Sequence, residues 1–146
     1  MPRSIASVIE GRALYTLAST ATAREAAQYL VQKGVGAVAV VDQGTLKGVI
    51  SERDLVTRVI AAGGNPDTMR IVEIMTPNPT TIAASESLTR ALAQMRERGF
   101  RHLPVVDQDR LVGMISVRDL FAAIKVELEH DLNERETMIF GSAGAL

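Results

Sequence analysis

The chain has 146 residues, 16 Lys or Arg against 17 Asp or Glu, and a formal net charge of -1. A single domain of this length hides about 70% of the surface its unfolded form exposes, and the near-neutral charge gives no basic face for a polyanion, so nucleic acid is not an expected partner. There is no cysteine for a disulfide, thiolate metal site or thiol nucleophile, nor a run of 18 apolar residues to span a membrane; with no leader-like start in Met1-Pro2-Arg3-Ser4-Ile5-Ala6, a cytoplasmic protein is expected.

In chain order, Ser4 to Gly11 predicts a short helical turn, followed by an extended piece at Leu14-Tyr15-Thr16-Leu17. Thr22-Ala23-Arg24-Glu25 has capping-box spacing, and apolar residues at 23, 26, 27, 30 and 31 predict an amphipathic helix stopped by Gly34. The apolar run from Gly36 to Val41, the turn residues Asp42-Gln43-Gly44-Thr45 and the stretch Leu46 to Ile50 predict a hairpin. A helix then starts at Ser51 and carries Leu55, Val56, Val59 and Ile60 toward Gly63-Gly64. The loop Asn65-Pro66-Asp67-Thr68 is the only clear linker.

The same order then repeats. Arg70 to Met75 is a second helical turn, Pro79 to Ile82 a second first strand, and Ser87 to Arg98 a second amphipathic helix stopped by Gly99. Leu103 to Val106, the turn Asp107-Gln108-Asp109-Arg110 and Leu111 to Ile115 form a second hairpin, and a helix begins at Ser116. Residues 40 to 55 laid on 105 to 120, a shift of 65 without a gap, agree at eleven of sixteen positions. The signature is Gly48-Val49-Ile50-Ser51-Glu52-Arg53-Asp54-Leu55, answered by Gly113-Met114-Ile115-Ser116-Val117-Arg118-Asp119-Leu120.

The expected fold is therefore α/β: two tandem strand-helix-strand-strand-helix units packed with pseudo-twofold symmetry around two equivalent clefts. Repeat 1 is taken as 1–65, repeat 2 as 66–136, and 137–146 as a loosely held tail. A unit of about 65 residues is marginal alone, so the two should share their burial. With three Phe, two Tyr and no Trp, the core must be aliphatic. The final helix carries Leu120, Phe121, Ile124, Leu128 and Leu132, an apolar stripe that outlasts its partner and suits a surface that meets another chain.

Ser and Asp three apart at a helix start have an ordinary use as a reciprocal cap, stabilising by about 1 kcal/mol. Capping requires neither Gly48 and Gly113 nor Arg53 and Arg118, yet both copies keep them. A hydroxyl and backbone N–H groups at a helix start suit an anion, and a carboxylate one turn on can accept two hydrogen bonds from a ribose diol. Small apolar strand residues can flank a flat base.

Gly-apolar-apolar-Ser-x-x-Asp at 48 to 54 and 113 to 119, with Ile74-Met75-Thr76 and Arg101-His102-Leu103-Pro104-Val105-Val106 before the second hairpin, resembles the cystathionine-beta-synthase (CBS) domain pair, or Bateman module, over essentially the whole chain. The resemblance is to small bacterial proteins made of a CBS pair and little else. It implies a binding module for adenosyl compounds: AMP, ADP, ATP, NAD or S-adenosylmethionine. It assigns the ribose hydroxyls to Asp54 and Asp119, and ribose or phosphate to Ser51 and Ser116. It gives the adenine edge to the backbone around Tyr15 and Thr16 in one copy, Thr81 in the other, and Ala37, Ala39, His102 and Pro104. Arg53 and Arg118 are candidates for phosphate, or else for surface ion pairs.

Arg101-His102 stands where the first copy has Gly36-Ala37, so a cation is expected from one side of the pair only, and the cleft it reaches should prefer the more phosphorylated ligand. The leading expectation is a non-catalytic sensor that signals energy or redox state to an unidentified effector and forms a homodimer through its helices. The competing one is a ligand-free dimerisation scaffold. Catalysis has little support: the only histidines are His102 and His130, and no glycine-rich phosphate loop is present. His130, within Glu127-Leu128-Glu129-His130-Asp131, is read as part of a solvated helix face rather than as a metal ligand.

Overall fold

The computed structural model describes residues 4–144, with side chains over 4–136. The elements run α1 (Ile5–Ile9), β1 (Thr16–Leu17), α2 (Ala23–Lys33), β2 (Ala37–Asp42), β3 (Thr45–Ser51), α3 (Glu52–Leu55), α4 (Ile71–Ile74), β4 (Thr76–Pro77), β5 (Ile82–Ala83), α5 (Leu88–Arg98), β6 (His102–Asp107), β7 (Arg110–Ser116) and α6 (Val117–Gly144). One sheet has the order β1-β2-β3-β4, the other β5-β6-β7. The expected strand-helix-strand-strand-helix order is present in both halves, and no helix of the described residues is long and apolar enough to cross a membrane.

Local chemistry sets these elements. Thr22 and Ser87 cap α2 and α5 by accepting from the N–H groups of Glu25 (3.1 Å) and Arg90 (3.2 Å). Gly34 and Gly99 close the two helices with φ of 68° and 72°, the left-handed conformation that costs a glycine least. The hairpins share one register. Ala37 faces Ser51 and Val40 faces Gly48, while His102 faces Ser116 and Val105 faces Gly113, with a bulge at the same place in each. Pro104, which has no N–H to donate, stands where β2 has Ala39, and the parallel pairing with β5 begins one residue later than its counterpart with β1.

The two cores do not divide the chain at residue 65. Ile5 of α1 is fully buried among Leu88, Met95, Leu103, Val105, Ile115 and Leu120 of the second half, while Ile71 and Ile74 of α4 pack with Leu30, Val38, Ile50 and Val59 of the first. Backbone bonds tie down the exchange. Ile5 N–H donates to the Glu86 carbonyl (3.0 Å), and Ile71 N–H to that of Ala21 (2.8 Å). Each leading helix thus belongs to the opposite core, and burying a single isoleucine there is worth roughly 1.5–3 kcal/mol.

This exchange explains the motif glycines, which the capping reading left over. A Cβ on Gly48 would lie 2.6 Å from Met75 Sδ and 2.7 Å from the Thr76 carbonyl oxygen, and one on Gly113 2.9 Å from Ile9 Cδ1. Each glycine admits the leading segment that crosses its strand.

One sequence expectation changes. The helix expected from Ser51 to Gly63 is a single α turn, α3, that continues as a π-helical segment over Val56–Ile60. There Thr57 Oγ1 donates to the Arg53 carbonyl (2.8 Å), the back-bonding that loosens a helical ladder, within a run rich in β-branched residues. Helix α6 runs to Gly144, and the side chains of 137–146, the stretch read as a loose tail, lie outside the described residues.

Candidate functional site

Both signature motifs form the same reciprocal cap. Asp54 N–H donates to Ser51 Oγ (3.2 Å) and Ser51 N–H to Asp54 Oδ2 (2.9 Å). Asp119 N–H donates to Ser116 Oγ (3.0 Å) and Ser116 N–H to Asp119 Oδ2 (2.9 Å). Glu52 N–H and Val117 N–H are also taken, by the carbonyls of Gly36 (2.9 Å) and Arg101 (2.8 Å) just ahead of β2 and β6. At each helix start these backbone N–H groups are therefore already bonded within the chain, and the groups left to face the hollow are mainly side chains.

The motif helices nevertheless open onto hollows. The larger, of about 590 Å³, is walled by Ser116 to Asp119 from the second half, and by Arg12 to Tyr15, Lys33 to Ala37 and Glu52 from the first. The smaller, of about 220 Å³, is walled by Ser51 to Asp54 from the first half, and by Thr76, Pro79, Thr80 and Gly99 to His102 from the second. Adding 65 to the smaller cleft's first-half residues, or subtracting it from the others, lands almost entirely on the larger cleft's lining. In each, a motif helix start from one repeat meets the segment leading into the first strand, and the helix stop, of the other.

Of the residues singled out in the sequence, Tyr15, Ala37, Ser116, Arg118 and Asp119 line the larger cleft and Ser51, Arg53 and Asp54 the smaller. Arg101 and His102 line both, which corrects the expectation that they serve one cleft alone. Thr16, Thr81, Ala39 and Pro104 are in neither lining; Ala39 and Pro104 are buried within β2 and β6. Arg53 and Arg118 form no ion pair among the described residues.

Three charged lining residues escaped the sequence reading: Arg12, Lys33 and Glu52. Glu52 occupies the variable place in its own motif, where the second copy has Val117. Arg12 and Lys33 lie outside the motif, opposite Pro77 and Arg98 in the repeat register, so repetition gave no pointer to them.

The electrostatics of the two carboxylates differ. Arg12 Nη1 lies 3.1 Å from Asp119 Oδ2. Partial burial alone would raise the Asp119 pKa, but the Ser116 backbone N–H, Arg12 and the Ser116 hydroxyl together hold it below the usual carboxylate value. Asp54 Oδ1 lies 3.7 Å from Arg58 Nε, and Arg58 also donates to the carbonyls of Ile74 (2.8 Å) and Met75 (2.9 Å) at the end of α4. Between the clefts, burial pushes the His102 imidazole below its ordinary pKa, against the opposing pull of Asp119, Glu52 and Asp54, with Arg101 adding to the depression. A Cβ on Gly36 would touch both Glu52 Oε1 (3.3 Å) and His102 Nε2 (3.4 Å), so these two side chains converge over a residue that leaves them room. In the larger cleft Tyr15 stands edge-on to Tyr29 with ring centroids 6.2 Å apart, and Lys33 Nζ lies 5.2 Å from the Tyr15 centroid. His130, far along α6, pairs with Glu134 at 3.0 Å on an exposed face.

This set of hydroxyls, carboxylates, cations and one imidazole around paired hollows can hold a polar ligand with a sugar and negative charge. The CBS domain model matches residues 8–61 and 71–126. The chain is 37% identical over 105 residues to the CBS domain-containing protein YhcV of Bacillus subtilis (strain 168), covering 72% of this chain and 74% of that one. A protein with CBS domains from Burkholderia ambifaria MC40-6 superposes with a TM-score of 0.80 at 31% identity, over 84% of this chain and 93% of the other. The CBS domain protein PAE2072 from Pyrobaculum aerophilum, complexed with AMP, gives a TM-score of 0.73 at 29% identity, over 80% and 89% of the two chains. The curated relatives vary in length, and the chain spans from 16% to 74% of them. The resemblance read from the two Ser-x-x-Asp motifs is thus confirmed across both repeats, and the chain belongs to the CBS domain family as a tandem pair.

Proposed function

We propose that the chain is a ligand-sensing module that binds an adenosyl nucleotide (AMP, ADP, ATP or NAD) in the clefts between its repeats and reports energy or redox state to a partner protein. The observation that carries this reading is the placement of a motif carboxylate, Asp119 or Asp54, in the wall of each inter-repeat hollow rather than on the outer surface. A carboxylate with an oxygen to spare suits a ribose diol, Tyr15 supplies a flat face for a base, and Arg101 with His102 can reach either cleft. The AMP held by the Pyrobaculum relative supports the ligand class. A cytoplasmic setting goes with a nucleotide signal.

The module acts as a homodimer in this reading. Phe121, Val126, Leu128 and Leu132 on α6 and Val56 and Ile60 beyond α3 are all more than half exposed, and the register places Val56 and Phe121 at matching sites. The same surface is the one observation that favours the second reading, a scaffold whose clefts stay empty.

Thermal shift of the full chain against adenosine, AMP, ADP, ATP, NAD and S-adenosylmethionine separates the two. A binding nucleotide stabilises by about 2.7 kcal/mol at a hundredfold excess over its dissociation constant, and Asp54→Asn combined with Asp119→Asn abolishes the shift. A flat response to every compound leaves the scaffold. Mass spectrometry of small molecules that co-purify with the chain gives the ligand directly.

A further inference from the structure

The repeats are alike in sequence and register, but the clefts they make are not. Small molecules are held in hollows of roughly 300–1,000 Å³. The larger cleft, at about 590 Å³, lies inside that range, and the smaller, at about 220 Å³, falls below it. Their charge also differs. Four permanent cations, Arg12, Lys33, Arg101 and Arg118, line the larger cleft against the carboxylates of Glu52 and Asp119. In the smaller cleft two cations, Arg53 and Arg101, face two carboxylates, Glu52 and Asp54. The surplus comes from Arg12 and Lys33, because Pro77, opposite Arg12, bears no charge and Arg98, opposite Lys33, lines neither cleft.

The carboxylates are committed differently. At Asp119 the Ser116 N–H and Arg12 both converge on Oδ2, which leaves Oδ1 as an acceptor for a ribose hydroxyl. At Asp54, Oδ2 takes the Ser51 N–H and Oδ1 faces Arg58, itself anchored to the end of α4. Asp54 is correspondingly less accessible, its side chain 13% exposed against 26% for Asp119. The base side follows the same direction: Tyr15 walls the larger cleft where the smaller has Thr80.

We propose that the larger cleft is the single high-affinity site of the chain, that it takes an adenosyl nucleotide carrying two or more phosphates, and that Arg12 and Lys33 are the residues that read that charge. The proposal rests on the adenosyl reading above and narrows it to one cleft and one charge class. Arg12 pairs with Asp119. A polyphosphate gives that guanidinium a second anion, whereas a bare nucleoside competes for Asp119 and returns nothing.

Isothermal titration of the full chain with adenosine, AMP, ADP and ATP, without divalent metal, tests this. The expected result is one site per chain for ATP, affinity that rises with phosphate number, and no ATP binding in Asp119→Asn. Arg12→Gln and Lys33→Gln should each lower the ratio of ATP to adenosine affinity roughly tenfold, the size of one charge-assisted hydrogen bond. Arg98→Gln, outside both clefts, should leave the ratio unchanged. Two equal sites per chain, or a ratio that neither variant moves while adenosine compounds still bind, overturns the proposal and leaves the adenosyl reading intact. Binding of none of the four, nor of NAD titrated alongside them, removes both.

Discussion

Replacing Gly48 with alanine tests how the two repeats are clamped together. The new Cβ would sit 2.6 Å from Met75 Sδ, a soft neighbour that can swing away, and 2.7 Å from the Thr76 carbonyl oxygen, which cannot. Thr76 is held to β3 by its pairing with Val49, and Pro77 by its pairing with Gly48 itself, so relief requires β4 to lift from the sheet edge. Overpacking of this kind costs about 1–3 kcal/mol. Gly113→Ala is the matched control, since its Cβ meets only the Cδ1 end of Ile9 at 2.9 Å, which one side-chain rotation moves. The loss of unfolded-chain freedom, about 0.4–1 kcal/mol in favour of alanine, offsets much of that smaller clash. At roughly 2–4 °C per kcal/mol for a chain near this size, a 2 kcal/mol loss lowers the Tm of Gly48→Ala by about 4–8 °C, while Gly113→Ala stays close to the parent. Urea titration and thermal melts followed by circular dichroism give both values. Equal melting of the two variants, or a more stable Gly48→Ala, would refute the account of the motif glycine as an access point for the crossing segment.

The exchanged helices make a second test: Ile5→Ala, in the first ten residues, should cost about 2–5 kcal/mol because it opens a hole in the core of the second half, measured by urea unfolding. Ser51→Ala and Ser116→Ala should each cost roughly 1 kcal/mol from lost capping, and equal losses in the two are expected from their matching geometry. His102 has a folded pKa below its ordinary value of 6.5, so the unfolded chain binds its proton more readily; the stability this residue confers is present above that value and falls as pH drops through it. Melting temperatures recorded from pH 8 down to about 5 should decline less steeply in His102→Gln than in the parent, and parallel curves would remove His102 from the explanation. On the proposed homodimer, the parent should sediment as a dimer and Phe121→Glu with Leu128→Glu as a monomer; a parent that sediments as a monomer removes the dimer reading.

The architecture was legible in the sequence because its signals are local and doubled. Thr22 and Ser87 before apolar stripes, Gly34 and Gly99 after them, and paired turns at 43–44 and 108–109 each report on a few neighbouring residues, and the 65-residue shift repeats the report. Gln43, Gly44, Gln108 and Asp109 all have positive φ, as two-residue hairpin turns demand. The crossing of α1 and α4 was not legible, since an apolar turn such as Ile5 to Ile9 fits either core equally well by periodicity. The π-helical segment after α3 was hidden for a similar reason: Val56, Val59 and Ile60 keep a helical spacing whether the ladder is tight or loose. In the site, Asp54 and Asp119 were found through the motif, and Arg12 and Lys33 were not. Cations that approach a cleft from a loop and a helix end carry no pattern of their own.

That each leading helix seals the opposite core has a consequence for how such a chain could have arisen. One copy by itself lacks a lid for its own hydrophobic interior while holding a spare lid it cannot close on itself, as long as the connection stays as short as it is here. An unfused ancestor would therefore have gained most by trading these lids between two molecules, and joining the genes end to end would have preserved the trade within one polypeptide. Severing the present chain in the loop at 65–68 should accordingly yield fragments that are poorly folded apart yet find each other when mixed.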